Sequence, residues 1–152
     1  MQLALNFTLA ELVASTKAVS LGIDNTPTEA VIAELVNTAA MLQRIRDTLK
    51  APITVTSAYR CRQLNTAVGG VTSSDHILGC AADFVVPSIG TPYTIAKILA
   101  PLVSVLGIQQ LILEGVKGKQ WVHVSTRAPT KLANRVITIT DVGAQLGIQE
   151  LA

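Results

Sequence analysis

Two residues of this chain sit where apolar side chains would be expected. Asp83 interrupts the run CAADFVV, with Ala81, Ala82, Phe84, Val85 and Val86 around it, and an unpaired carboxylate is costly to bury among such neighbours. His123 lies inside WVHVS, again an apolar strand pattern, and the chain's other histidine, His76, precedes Asp83 by seven positions. Each has an ordinary explanation taken singly. A strand alternates its faces, so Asp83 reads equally as a solvated or salt-bridged residue, and His123 as a hydrogen-bonded structural histidine. Taken together, His76, Asp83 and His123 offer two imidazoles and one carboxylate, a ligand set that zinc accepts while keeping a fourth position for water. The cation would also balance the charge on Asp83. On these residues alone, the metal site and the structural explanation both stand.

The elements that must position these residues can be read from capping and periodicity. Thr8 precedes Glu11 by three residues in FTLAEL, the spacing of a capping box, which predicts a short helix there. In TPTE the same logic predicts a helix capped by Thr26, with Pro27 at its first position and Glu29 closing the box. Val31, Leu35, Leu42, Ile45 and Leu49 then recur at helical intervals and predict a long amphipathic helix to about Lys50. Ile53 to Thr56 reads as a strand behind Pro52, Gly69 and Gly70 mark a turn in the polar loop that follows, and CAADFVV reads as a second strand ended by Pro87. TPYTIAKILAPLVSVLG predicts a helix capped by Thr91, kinked at Pro101 and stopped by Gly107. QQLILE and WVHVS form short apolar strands joined through GVKGKQ as a hairpin, and RVITIT could add a final strand. The class is α+β, with helices packed on one side of a small, largely antiparallel sheet.

Composition bounds the rest. The chain has 152 residues, 49% of them hydrophobic and 14% charged, which suits one folded domain over residues 1–152, without a separate binding module. A net charge of +2 with scattered basic residues gives no case for nucleic acid as a partner. No segment reads as a secretory signal or a membrane span, so the expectation is a soluble, cytoplasmic globule without membrane insertion. Cys61 and Cys80 form no CxxC pair and fit two free thiols in a reduced compartment.

Here the motifs converge. SSDHILGCAADF fits the pattern S-x-H-x-x-G-x-A-x-D of the M15 family of zinc peptidases, with Ser74, His76, Gly79, Ala81 and Asp83 in its fixed places. WVHVS resembles that family's downstream histidine motif. ITVTSAYRCRQLNTAVGG resembles its strand and loop, which usually read SGYRSPxLN, matching at Ser57, Tyr59, Arg60, Leu64 and Asn65. FTLAEL and GIDNTP resemble the opening of the phage and prophage branch, so the likeness runs over residues 6–126. The resemblance implies a Zn2+ cofactor held by His76, Asp83 and His123, a fold like that of D-Ala-D-Ala carboxypeptidases and hedgehog signalling domains, and peptidoglycan stem peptides as substrate. It also implies an endolysin-like setting, reached from the cytoplasm through a membrane hole, or a place in a phage particle; we expect a monomer.

A peptidase of this kind also needs a proton acceptor. Many relatives carry an acid three residues before the last histidine, where this chain has Gln120. Glu114, at the end of QLILE, becomes the candidate base if the hairpin pairs Ile112 with His123, because Glu114 would then share the histidine's face. Arg60 is the candidate for binding a substrate carboxylate or steadying an oxyanion. Ser74, Ser57, Asn65 and Trp121 complete the candidate substrate contacts. Three functions follow from this set: an endopeptidase cutting between L-Ala and D-Glu, a D-Ala-D-Ala carboxypeptidase, or a zinc-stabilised, non-catalytic wall-binding or phage structural module.

Overall fold

The long helix forms where its apolar stripe requires, but begins two residues later than TPTE suggests. In the computed structural model, which describes residues 1–128 and 132–151, helix α3 spans Glu29–Leu49 and its cap is Thr28. Thr28 Oγ1 accepts from the Val31 amide, while the Thr26 amide is taken by Asp24 Oδ1 at 2.9 Å. That side-chain turn at Asp24, and the extended conformation favoured before Pro27, keep Thr26 and Pro27 outside the helix. Glu29 is therefore the first helical residue, near the positive end of the helix dipole, rather than the closing member of a box at Thr26. Leu35, Ala39, Leu42, Ile45 and Leu49 are buried along one face, and Lys50 ends the helix with φ +53°.

Ahead of α3 lie a two-strand ribbon, β1 (Gln2–Ala4) and β2 (Phe7–Thr8), then α1 (Leu9–Val13) and α2 (Thr16–Leu21). Thr8 caps α1 by accepting from the Glu11 amide, as its spacing predicts. After α3 come β3 (Thr54–Ser57), α4 (Arg62–Ala67), α5 (Asp75–Leu78) and β4 (Ala81–Val85). Thr91 caps α6 (Pro92–Leu99), and Pro101 falls in a 3₁₀ turn, Ala100–Leu102, that separates it from α7 (Val103–Leu106). The break has a direct cause, since proline lacks the N–H that would continue the α-helical ladder. Gly107, at φ +70°, closes α7.

The remaining strands are β5 (Gln110–Val116), β6 (Lys119–Ser125), β7 (Arg135–Thr140) and β8 (Gly143–Leu146). They join β3 and β4 in a six-stranded sheet of order β3-β4-β6-β5-β7-β8. Pairing is antiparallel except between β5 and β7, which run parallel, so the sheet is mixed. The β5–β6 hairpin turns at Lys117 and Gly118, both with positive φ, the conformation that matches the right-handed twist of the flanking strands.

Strand alternation then separates two faces. Ala82 and Phe84 of β4, Leu111 and Leu113 of β5, and Val122 and Val124 of β6 join Leu35, Leu42 and Ile45 of α3 and Ile95 and Leu99 of α6 in one buried core. Asp83, Ile112, Glu114, Trp121 and His123 project the other way, into an open cleft. Among the described residues, no helix is long and apolar enough to cross a membrane.

Candidate metal centre and cleft

The register brings the three suspected ligands together. Asp83 of β4 pairs directly with His123 of β6, and α5 lays His76 against both. His76 Nε2 is 3.3 Å and His123 Nδ1 2.8 Å from Asp83 Oδ1, and the two imidazole rings meet edge to face with centroids 5.1 Å apart. All three residues are buried, and one potential ligand atom from each lies within 4.8 Å of the others. Burial by itself would raise the Asp83 carboxyl, but the charge of His76 and hydrogen bonds from His123 and His76 outweigh it and hold the group well below the usual carboxylate range.

These residues fit a zinc ion on their own chemistry. His76 Nδ1 is bonded to the carbonyl of Ala58, which can only accept, so that ring nitrogen carries a proton, and Nε2 is the atom that would offer its lone pair to a cation taking the place of the proton it shares with Asp83. A metal-bound histidine is ordinarily oriented in this way by its other nitrogen. Asp83 adds negative charge, and two imidazoles with one carboxylate leave a position open for exchangeable ligands.

Short backbone devices fix this geometry. Ser74 caps α5, its Oγ accepting from the His76 amide at 3.2 Å. Gly79 ends α5 at φ +79°, and a Cβ there would stand 2.9 Å from the carbonyl oxygen of Val31 on α3. Thr38 of α3 donates to the Gly79 carbonyl at 2.7 Å, so the turn between His76 and Asp83 is bolted to the long helix.

Around the triad the cleft encloses about 800 Å³, a size suited to a peptide segment. The hairpin pairs Ile112 with His123 and Glu114 with Trp121, which meets the condition on which the choice of Glu114 depends. Glu114 Oε1 is 3.9 Å from His123 Nδ1. Burial, and then the charge of Asp83, raise the Glu114 carboxyl above its ordinary value, against the opposing pull of His123 and Arg60. Gln120 is exposed and belongs by alternation to the face of Val122 and Val124, so it does not line the cleft.

Arg60 lines the cleft too. Its Nη2 donates to Ser74 Oγ at 3.4 Å, and its buried Nε has no partner among the described residues. Burial lowers its pKa, with the charges of Asp83 and Glu114 pulling the other way. Trp121 lies on the cleft wall, its Nε1 buried and unpartnered among the described residues. Ser57 pairs with Asp83 on the edge strand, and Asn65 is buried with Nδ2 donating to the Val71 carbonyl at 2.9 Å; neither lines the cleft. Asn65 instead holds the loop that carries Gly69 and Gly70. Among the cleft residues that sequence reasoning passes over are Asp75, Arg127 and Ile139. Asp75 stands inside the histidine motif, and the alternation of WVHVS is enough to carry its cleft face on to Ser125, beside Arg127; nothing in the sequence announces Ile139, which reaches the cleft through the parallel pairing of β7.

A family model described as Peptidase M15 matches residues 5–125. The chain belongs to the Peptidase M15 family. In this M15 member, the matched stretch contains the whole triad together with Arg60, Ser74, Glu114 and Trp121, whereas Arg127, β7 and β8 lie beyond it. No curated protein matches the chain.

Proposed function

We propose that this M15 member is a zinc-dependent peptidoglycan peptidase that cuts a stem-peptide bond next to a D-amino acid, between L-Ala and D-Glu. The observation that carries the reading is the half-buried Glu114 carboxylate, 3.9 Å from His123 and opening on the same cleft as a His-Asp-His triad. His76 Nε2, Asp83 Oδ1 and His123 Nδ1 would hold the zinc ion. When bound, zinc polarises a scissile carbonyl and lowers the pKa of water towards about 7.

The protein's own groups supply the rest. Glu114 takes a proton from the attacking water and passes it to the leaving amine, a role that its raised pKa suits because the carboxyl must hold the proton in between. Arg60, on the same cleft, steadies negative charge gathering on the carbonyl oxygen. Ser74 keeps both Arg60 and the His76 helix in place, and Trp121 with Ile112 forms an apolar wall for the peptide. Asn65 supports the loop on the opposite side. The placement of Glu114 speaks against a module that lost its catalytic acid at position 120, since the hairpin directs that position away from the cleft.

We further infer that the protein acts as a monomer on the cell wall, after release from a cytoplasm or as part of a phage particle. Digestion of purified peptidoglycan by zinc-loaded protein, followed by mass spectrometry, tests the reading. New amino-terminal D-Glu is the expected result. Release of free D-Ala alone would make the protein a carboxypeptidase, and intact peptidoglycan after prolonged digestion would remove the peptidase reading.

A further inference from the structure

The cleft has a second polar end that the proposed chemistry leaves unused. Asp75 opens α5 immediately before His76, and its carboxylate is engaged twice. Its Oδ2 accepts from Ser125 Oγ at 2.8 Å, and its Oδ1 lies 3.5 Å from Nη1 of Arg127. Ser125, fully buried at the end of β6, shares the strand face of Trp121 and His123, and its Oγ accepts from the Arg127 amide at 3.1 Å. Arg127 is thereby held at its backbone by Ser125 and at its tip by Asp75, while its side chain stays 58% exposed on the cleft wall.

The two arginines of the cleft differ in what their charge can do. Arg60 is half-buried and lies in the fields of Asp83 and Glu114, so its charge is largely answered within the protein. Among the described residues, the Arg127 guanidinium makes one long contact, to a carboxylate already engaged by Ser125, and the side chain lines the cleft, largely exposed. Asp75, Asp83 and Glu114 set three carboxylates against these two guanidiniums, and a divalent cation in the triad turns the sum positive. The loaded cleft thus suits an anionic peptide.

We propose that Arg127, positioned by Asp75 and Ser125, forms a carboxylate-binding subsite that makes the protein favour peptides with a free carboxylate beside the bond to be cut. The inference rests on the peptidase reading above and names part of its substrate. A guanidinium engages a carboxylate through two parallel hydrogen bonds, a match that neither an amide nor an ammonium reproduces. In a stem peptide, D-Glu presents such a carboxylate, and its amidated form presents a neutral group of the same shape.

The test compares two synthetic stem peptides, identical except that the D-Glu carboxylate is free in one and a carboxamide in the other. Their binding to zinc-loaded protein is measured by calorimetry in the Glu114→Gln background, which keeps the peptides intact. With Arg127 present, the carboxylate form should bind about tenfold tighter. Arg127→Gln should bring that preference to about one, and Arg127→Lys, which keeps the charge, should retain about a third of it. Zinc content and melting temperature establish that each variant is folded, and the lysine variant serves if the glutamine variant is not. Equal binding of the two peptides with Arg127 present, or an unchanged preference in Arg127→Gln, overturns the subsite. Cleavage without preference overturns the subsite alone, whereas an Arg127-dependent preference without any cleavage by the wild type overturns the peptidase reading and keeps the subsite.

Discussion

At the scale of single residues, Glu114 decides whether the triad is chemistry or architecture. It stands beside His123, yet burial raises its carboxyl rather than lowering it, which is the condition of a group that accepts and returns a proton. Glu114→Gln keeps the side chain's size and removes that capacity. Peptidoglycan hydrolysis should fall by about 10²- to 10⁴-fold with zinc content unchanged, followed as the clearing of a turbid wall suspension beside metal analysis. Undiminished hydrolysis would assign the proton to another group. The thiols make a second residue-scale contrast. Burial, and then the charge of Glu34, push the Cys80 thiol up to about 11, so it is almost wholly protonated at pH 8, whereas Cys61 is partly exposed at the cap of α4. Iodoacetamide at that pH should label Cys61 at least about tenfold faster than Cys80 in the folded protein, because the thiolate is the nucleophile. Peptide mapping distinguishes the two, and equal rates would contradict the buried setting of Cys80.

At the scale of elements, the site depends on α3, which supplies no ligand. The turn between His76 and Asp83 must pass close under this helix, and Gly79 permits the approach. Gly79→Ala puts a side chain into the left-handed region and against a backbone oxygen that is fixed in the helix. Denaturant unfolding should show a loss of about 2–4 kcal/mol, with weaker zinc binding, because the displaced turn carries His76. A loss under about 0.5 kcal/mol would mean that the turn relaxes freely. Much of this is legible in the sequence. The stripe from Val31 to Leu49, the caps at Thr8 and Thr91, and the existence of the hairpin between QLILE and WVHVS follow from local periodicity and turn chemistry, whereas its register, Ile112 with His123, is fixed by the structure alone. The cap falls at Thr28 rather than Thr26 because Asp24 competes for the Thr26 amide, an interaction that the TPTE pattern does not contain. Non-local partners are beyond pattern reading altogether: the parallel seat of β7, the Ala58 carbonyl that orients His76, and the Asp75–Arg127 contact all join segments far apart in the chain.

At the scale of the whole molecule, one sheet serves as both core wall and site floor. Its helix-covered face supplies the cohesion, and its cleft face can therefore carry the buried Asp83 and His123, with His76 laid against them by α5. β7 and β8 extend that sheet past the family match, and Ile139 joins the cleft wall while Leu151 packs over Gly115. The three candidate ligands come from separate pieces of chain, α5, β4 and β6, so a cation held by all three would bind only the assembled fold. Free zinc at about 100 times its dissociation constant should add about 2.7 kcal/mol to the stability of the protein. For a chain of this size, that corresponds to a rise of about 5–10 °C in melting temperature, followed by calorimetry with and without chelator. His123→Ala removes one ligand and should abolish most of the rise, even though the variant begins from a lower melting temperature. An equal rise in that variant would place the bound ion elsewhere on the molecule, and no rise in the wild type would mean that Asp83 is satisfied by its two histidines alone.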